Sequence, residues 1–334
     1  MAKQTVLFPN EPNVVSVYSV AGPKEAEGHL GKFISRTLTD DKFGESSFEK
    51  AECKMLSVAI KEAIKASGKT ESDINAFLGG DLLNQIISAS FAARDLSVSY
   101  IGLYNACATF SEALAISAAL IDGGYFGATV AATVSHFASA ERQYRYPLEL
   151  GSTRPPQSQW TVTGAGAAVV AKCDGFPKLL AATFGKVVDY GVTDANNMGA
   201  AMAPACADTL KVLFRETGTT PSDYDLILSG DLGALGSRLL KKLCRDDGFD
   251  IEKNHTDCGE LIYNIDEKEY QGGSGAGCSA VVFASYIFPK LMRGEIKKMI
   301  LVATGALLSS VSSQQGESIP GIAHAIILEG VCTK

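Results

Sequence analysis

Cys107 is the residue in this chain best placed to do chemistry. It stands in the run NACATFSEALAISAALIDGG at 105–124, between a β-like stretch at 96–103 and a helical pattern starting near Ala108. A thiol on such a turn lies at a helix N-terminus, where free backbone amides and the helix dipole favour thiolate. Ala106 and Ala108 are small enough to let a ligand approach. The same residue also reads as an ordinary small buried thiol, and Cys278, its counterpart in a second run, fits that plainer description. The eight cysteines are scattered, without a CxxC pair or a zinc-type spacing, so they read as reduced thiols.

A nucleophile needs a base and a ligand needs partners. His136 follows the apolar run 128–135, and strand C-terminal ends in α/β sheets face the ligand crevice, so it is the candidate base. The stretch 137–160, FASAERQYRYPLELGSTRPPQSQW, reads as a long loop with Arg142, Arg145, Arg154, Tyr144, Tyr146 and Trp160. Loops of that length without structure of their own are usually functional or interfacial. Guanidinium forks match planar carboxylates, although Glu141 and Glu149 offer these arginines nearer partners. His29 and His255 fall in polar stretches and are expected to be exposed, and His324 alternates with apolar residues in the last strand.

The elements that must hold these residues repeat. Strand patterns alternate with helical ones, which argues for an α/β fold with a largely parallel sheet. Aligning Cys107 with Cys278, an offset of 171, also aligns Gly123 with Gly294 and VAAT at 130–133 with LVAT at 301–304. FLGGDL at 77–82 echoes LSGDL at 228–232, and VTGAGAAVV at 162–170 echoes PGIAHAIIL at 320–328. Three echoes in one order predict a duplicated unit, with halves at 1–174 and 175–334 and the stretch 137–160 inserted in the first.

Composition sets the limits. The chain has 334 residues, 46% hydrophobic and 20% charged, which excludes a disordered chain. A net charge of -7 argues against nucleic acid as a partner. Residues 1–9 lack a signal-peptide core, and no apolar run approaches the ~20 residues a spanning helix needs, so a soluble protein is expected. The glycine clusters at 164–166 and 272–277 lack the remainder of a phosphate-binding motif.

YNACATFSEAL resembles the nucleophile turn of the thiolase superfamily, the thiolases and fatty-acid condensing enzymes. That resemblance implies a five-layer αβαβα fold built from two duplicated halves. It also implies where partners of the cysteine should stand. The position of the first catalytic histidine falls on Gly230 or Asp231, and that of the second His or Asn on Gly273 or Ser274. Neither supplies an imidazole, and the loop 314–321 lacks the second cysteine of degradative thiolases. A carboxylate beside Cys107 is expected to raise the thiol pKa and repel an oxyanion. Loss of a unit of catalytic groups removes most of the rate, so a pseudoenzyme is expected, with acyl transfer through Cys107 and His136 as the alternative.

The segment SHFASAERQYRYPLELGSTRPPQSQWTVTGAGAAVVA further resembles a sporulation family within that superfamily. This resemblance implies binding of dipicolinate, a flat dianion, for uptake into the developing spore. It implies membrane-embedded SpoVA proteins as partners, a homodimer, and a place at the inner spore membrane. No cofactor is expected beyond calcium carried in a bound chelate. The ligand-facing candidates are Asn105, Cys107, His136, Arg142, Arg145, Arg154, Asp231 and Ser274, with Asp231 suited to calcium as an oxygen donor.

Overall fold

The computed structural model describes residues 3–144, 154–264 and 271–332. Its first half carries β1 (Asn13–Ala21), α1 (Phe48–Ala66), β2 (Ala76–Gly80), α2 (Ile87–Arg94) and β3 (Ser99–Gly102). It continues with α3 (Thr109–Asp122), β4 (Ala128–Ser135), α4 (Phe137–Tyr144), β5 (Trp160–Thr161) and β6 (Gly164–Ala171). The second half carries β7 (Lys178–Phe184), α5 (Met198–Thr217), β8 (Leu226–Ser229), α6 (Gly233–Asp246), β9 (His255–Asp257) and β10 (Gly273–Ser274). It ends with α7 (Ala276–Val282), α8 (Phe288–Met292), β11 (Lys298–Ala306), α9 (Ser310–Gln314) and β12 (Gly321–Glu329).

The strand order is the same in each half. The first runs β3-β2-β4-β6-β1 and the second β9-β8-β11-β12-β7, joined by the Asn13–Lys178 pair of β1 and β7. In both, the three outer strands are parallel and the last two join antiparallel. A repeat of order and direction together is what duplication of one unit produces. It also lengthens an echo: Thr70–Leu82, TESDINAFLGGDL, matches Thr220–Leu232, TPSDYDLILSGDL. Both open with a Thr/Asp capping box, at Thr70/Asp73 and Thr220/Asp223.

Among the described residues three large cores lie between the layers, and a small fourth surrounds Cys107. The central one holds Phe110, Leu114 and Ala118 of α3 and Val281 of α7 against Leu78 and Ala131 of the first half and Leu228 and Leu301 of the second. The outer cores lie under α1 and α2 on one side and under α5 and α6 on the other. α3 can occupy the middle because TFSEALAISAALID is apolar or small almost all round, as a helix buried on every side must be. β4 and β6 are buried along their whole length, consistent with helices on both faces. α1 buries one stripe, with Ala51, Met55, Leu56, Ala59, Ile60 and Ala63 inward, and its N-cap Ser47 accepts from the Lys50 N–H.

One expectation changes here. The stretch 137–160 begins as a helix, α4, rather than as a loop. The side chain of His136 explains the start: its Nδ1 accepts the Ala138 N–H at 3.1 Å and so caps the first turn.

Candidate functional site

Cys107 sits in a 3-10 turn, Ala106–Ala108, that runs straight into α3. Ala106 adopts φ +50, a left-handed conformation that a residue with a Cβ occupies only under constraint. The constraint is visible. The Thr109 hydroxyl donates to the Ala106 carbonyl at 2.7 Å and accepts from the Asn105 N–H at 3.0 Å, folding the turn onto the helix start. Gly305 of β11 lies beneath, and a Cβ there would come within 2.2 Å of the Asn105 carbonyl. This is a strained strand–cysteine–helix elbow pressed against the other half of the molecule.

The cysteine is 7% exposed and lines a narrow cleft of about 40 Å³ with Leu82, Tyr104, Tyr144, Met198, Ser274 and Leu308. That is room for little more than one water. Tyr144 and Tyr104 form its lid, both hydroxyls donating to the Leu82 carbonyl, Tyr104 at 3.3 Å. Tyr104 and Leu308 also line a wider chamber outside, about 350 Å³, with Asn84, Gln85, Ile86, Leu307, Ser309 and Ser312. The chamber lies where the loop after β2 meets the segment after β11, between the two halves.

Several expected site residues stand elsewhere. His136 is 1% exposed, and its Nε2 donates to the Asp41 carbonyl at 2.7 Å while Nδ1 caps α4. Both ring nitrogens are committed to backbone, and burial lowers its pKa, so it is a structural histidine rather than a base. Arg142 pairs with Glu49 at the surface. Arg154 pairs with the fully buried Glu141 at 3.4 Å, donates to the Gln159 carbonyl and lies over the stacked rings of Phe137 and Trp160. Neither arginine borders the Cys107 cleft. Arg145, with Tyr146 and Glu149, lies outside the described residues.

Asp231 is likewise a brace. Its Oδ1 accepts from the Thr304 hydroxyl at 2.7 Å and its Oδ2 from the Gly275 N–H at 3.1 Å. It pins the glycine-rich turn to β11 and does not line the cleft. It is 1% exposed and stands away from the cleft, so it is not placed to meet a calcium chelate there, and no cluster of metal-binding side chains occurs among the described residues. Asn105 meets a residue the sequence had placed in the core: its side-chain amide lies 3.2 Å from Nε2 of His324. Of the candidates, Cys107 and Ser274 share the cleft.

His255 is buried, not exposed. Its Nε2 lies 2.9 Å from the Ser229 hydroxyl, which donates to Asp257 at 2.6 Å. Burial pushes the Asp257 carboxyl up to about 7 and the His255 ring down to about 3. The serine is thus held by the carboxylate directly and lies at the β8–β9 pairing, so this trio ties two strands together. All eight cysteines are free thiols, and burial pushes that of Cys278 well up, as expected of an inert packing residue.

The sequence matches the family model described as "Stage V sporulation protein AD (SpoVAD)" over residues 2–329. The chain belongs to that family. It is 44% identical to the stage V sporulation protein AD of Bacillus subtilis over 98% of this chain and 97% of that one. Membership makes it a sporulation protein. The fold is shared more widely. The 3-oxoacyl-[acyl-carrier-protein] synthase III of Aquifex aeolicus superposes with a TM-score of 0.56 at 14% identity, covering 95% of this chain and 99% of that one. OleA of Xanthomonas campestris, in a histidine-to-asparagine variant, gives 0.60 at 14% identity, with 96% and 99% covered. At that identity the likeness is one of architecture, the thiolase-like layers described above. Tyr144, one of the aromatics named in the stretch 137–160, does line the cleft, whereas the sequence did not reveal Tyr104, Met198 and Leu308 as its walls. These three come from separated segments, and no spacing in the chain links them.

Proposed function

We propose that this sporulation protein is a non-catalytic binder of a small flat dianion of the dipicolinate type. The ligand would sit in the chamber outside Cys107, in the service of membrane-embedded SpoVA partners at the inner spore membrane. The observation that carries this reading is the division of the cleft. The inner end at Cys107 holds about a water, whereas the chamber of about 350 Å³ is within the range of small-molecule sites. Its wall offers the neutral amides of Asn84 and Gln85 and the ring of Tyr104, a set suited to carboxylate oxygens and an aromatic ring, while the Ser309 and Ser312 hydroxyls cap the start of α9. Binding without turnover is supported by the two groups nearest a catalytic part, because His136 is committed to backbone and Asp231 is a brace.

Titration calorimetry with dipicolinate, with and without calcium, tests it. Saturable binding that is weakened by Asn84→Ala together with Gln85→Ala is expected. No saturable heat under either condition sinks the reading. A second reading, residual acyl transfer, rests on the preserved elbow with Ala106 at φ +50. It requires an acyl adduct on Cys107 by mass spectrometry after incubation with acyl-CoA donors, and none on Cys107→Ser.

We infer a homodimer as well. Among the described residues the outer edge of β3 has no partner strand. The nearby apolar side chains of Ile87, Phe91 and Tyr104 are 40%, 45% and 42% exposed. An open strand edge flanked by apolar surface is a docking template for a second strand.

A further inference from the structure

We propose that His324 is the positioning residue of the Cys107 elbow, acting across the two halves through Asn105. His324 stands on β12, in the second half, and is 6% exposed. Its Nδ1 accepts the Gly185 N–H at 3.2 Å, which leaves the ring proton on Nε2. That nitrogen lies 3.2 Å from Nδ2 of Asn105. Two N–H donors cannot bond each other, so the side-chain amide is turned by 180° to bring its oxygen to the ring proton. Asn105 is the residue on which the 3-10 turn starts, and the left-handed Ala106 and then Cys107 follow it directly. The ring is fixed from its other side by the edge of Phe184 at 6.0 Å.

A further feature gives this link its direction. In the echo between β6 and β12, the counterpart of His324 is Gly166, whose α-carbon lies against the backbone of Ala280 with no side chain between. The half that faces the elbow has a ring where the other has none. A core histidine needed only for packing has no reason to present a nitrogen to the one residue that starts this turn.

The inference concerns the elbow alone and does not depend on which molecule binds beside it. It is tested by site-resolved alkylation of the full chain with iodoacetamide, followed by peptide mass spectrometry. The buried Cys206 and Cys278 report global opening. In His324→Leu and in Asn105→Ala, the rate at Cys107 should rise about fivefold or more while Cys206 and Cys278 stay unchanged, the pattern of local release. The double variant should match the singles, because both remove one interaction. His324→Gln, which keeps an acceptor and a donor on one side chain, should restore the slow rate. Equal acceleration at all three thiols, or additive effects in the double variant, overturns the proposal.

Discussion

Asp231 accepts the backbone N–H of Gly275 at 3.1 Å, so the carboxylate standing near the expected place of a catalytic histidine holds a glycine turn in position. Gly275 has φ +115, and a Cβ there would lie 2.6 Å from the Ser135 hydroxyl, so the turn tolerates no larger residue and depends on its anchor.

The first prediction concerns that anchor. Asp231→Ala strands the Thr304 hydroxyl and the Gly275 N–H in a dry interior and should cost about 3 kcal/mol. Asp231→Asn keeps one acceptor and should cost less. Urea denaturation measures both. Calcium alone should leave the melting temperature of the wild-type chain unchanged, since the carboxylate is buried away from the cleft.

The arginines separate by burial. Arg154→Ala leaves Glu141 as an uncompensated buried charge, a loss of about 3 kcal/mol. Arg142→Ala removes a surface pair with Glu49 and should stay within about 1 kcal/mol. Neither should alter dipicolinate binding beyond what stability explains. A selective loss of affinity in Arg142→Ala would place that side chain at the ligand.

Glu25 sets a pH dependence. It is 1% exposed, accepts from the Tyr263 hydroxyl and from the Thr163 N–H at 3.0 Å, and burial raises its carboxyl from 4.5 to about 7. The folded state therefore keeps a proton that the unfolded chain releases above pH 4.5. Stability from this group falls as pH rises from about 4.5 to about 7, and the penalty is complete above that. Glu25→Gln removes the titration. Its melting temperature relative to wild type should rise between about pH 5 and about pH 8; a difference independent of pH would show that Glu25 is ionised in the folded state.

The dimer reading also has a direct check. Phe91→Glu places a charge on the apolar flank of the β3 edge and should convert a sedimenting dimer to monomer without lowering the melting temperature of the monomer. Unchanged sedimentation would move the interface elsewhere.

Much of the architecture was legible in the chain. The strands at Ala128–Ser135 and Leu226–Ser229 and the helix after Cys107 follow from apolar runs and small-residue turns, which are local signals. The echo of 70–82 in 220–232 carried the duplication, because both copies keep the same capping box and strand start. VAAT and LVAT fall one residue out of register, since Val130 packs into an outer core and Leu301 into the central one. The helix at Phe137–Tyr144 was missed because its start is set by a histidine cap and its middle by charged residues, which together read as loop.

The site itself divides along the same line. By itself the sequence determined that one thiol sits on an elbow at the head of a buried helix, and that no imidazole follows at the usual places. Only the tertiary structure decided that His136 turns to backbone, that Arg142 and Arg154 find carboxylates, and that His324 meets Asn105. Those outcomes rest on contacts between residues as far as 219 positions apart. A turn or a helix is written in neighbouring residues, whereas the partner of a buried polar group is chosen by whichever donor or acceptor the packing of layers brings within about 3 Å.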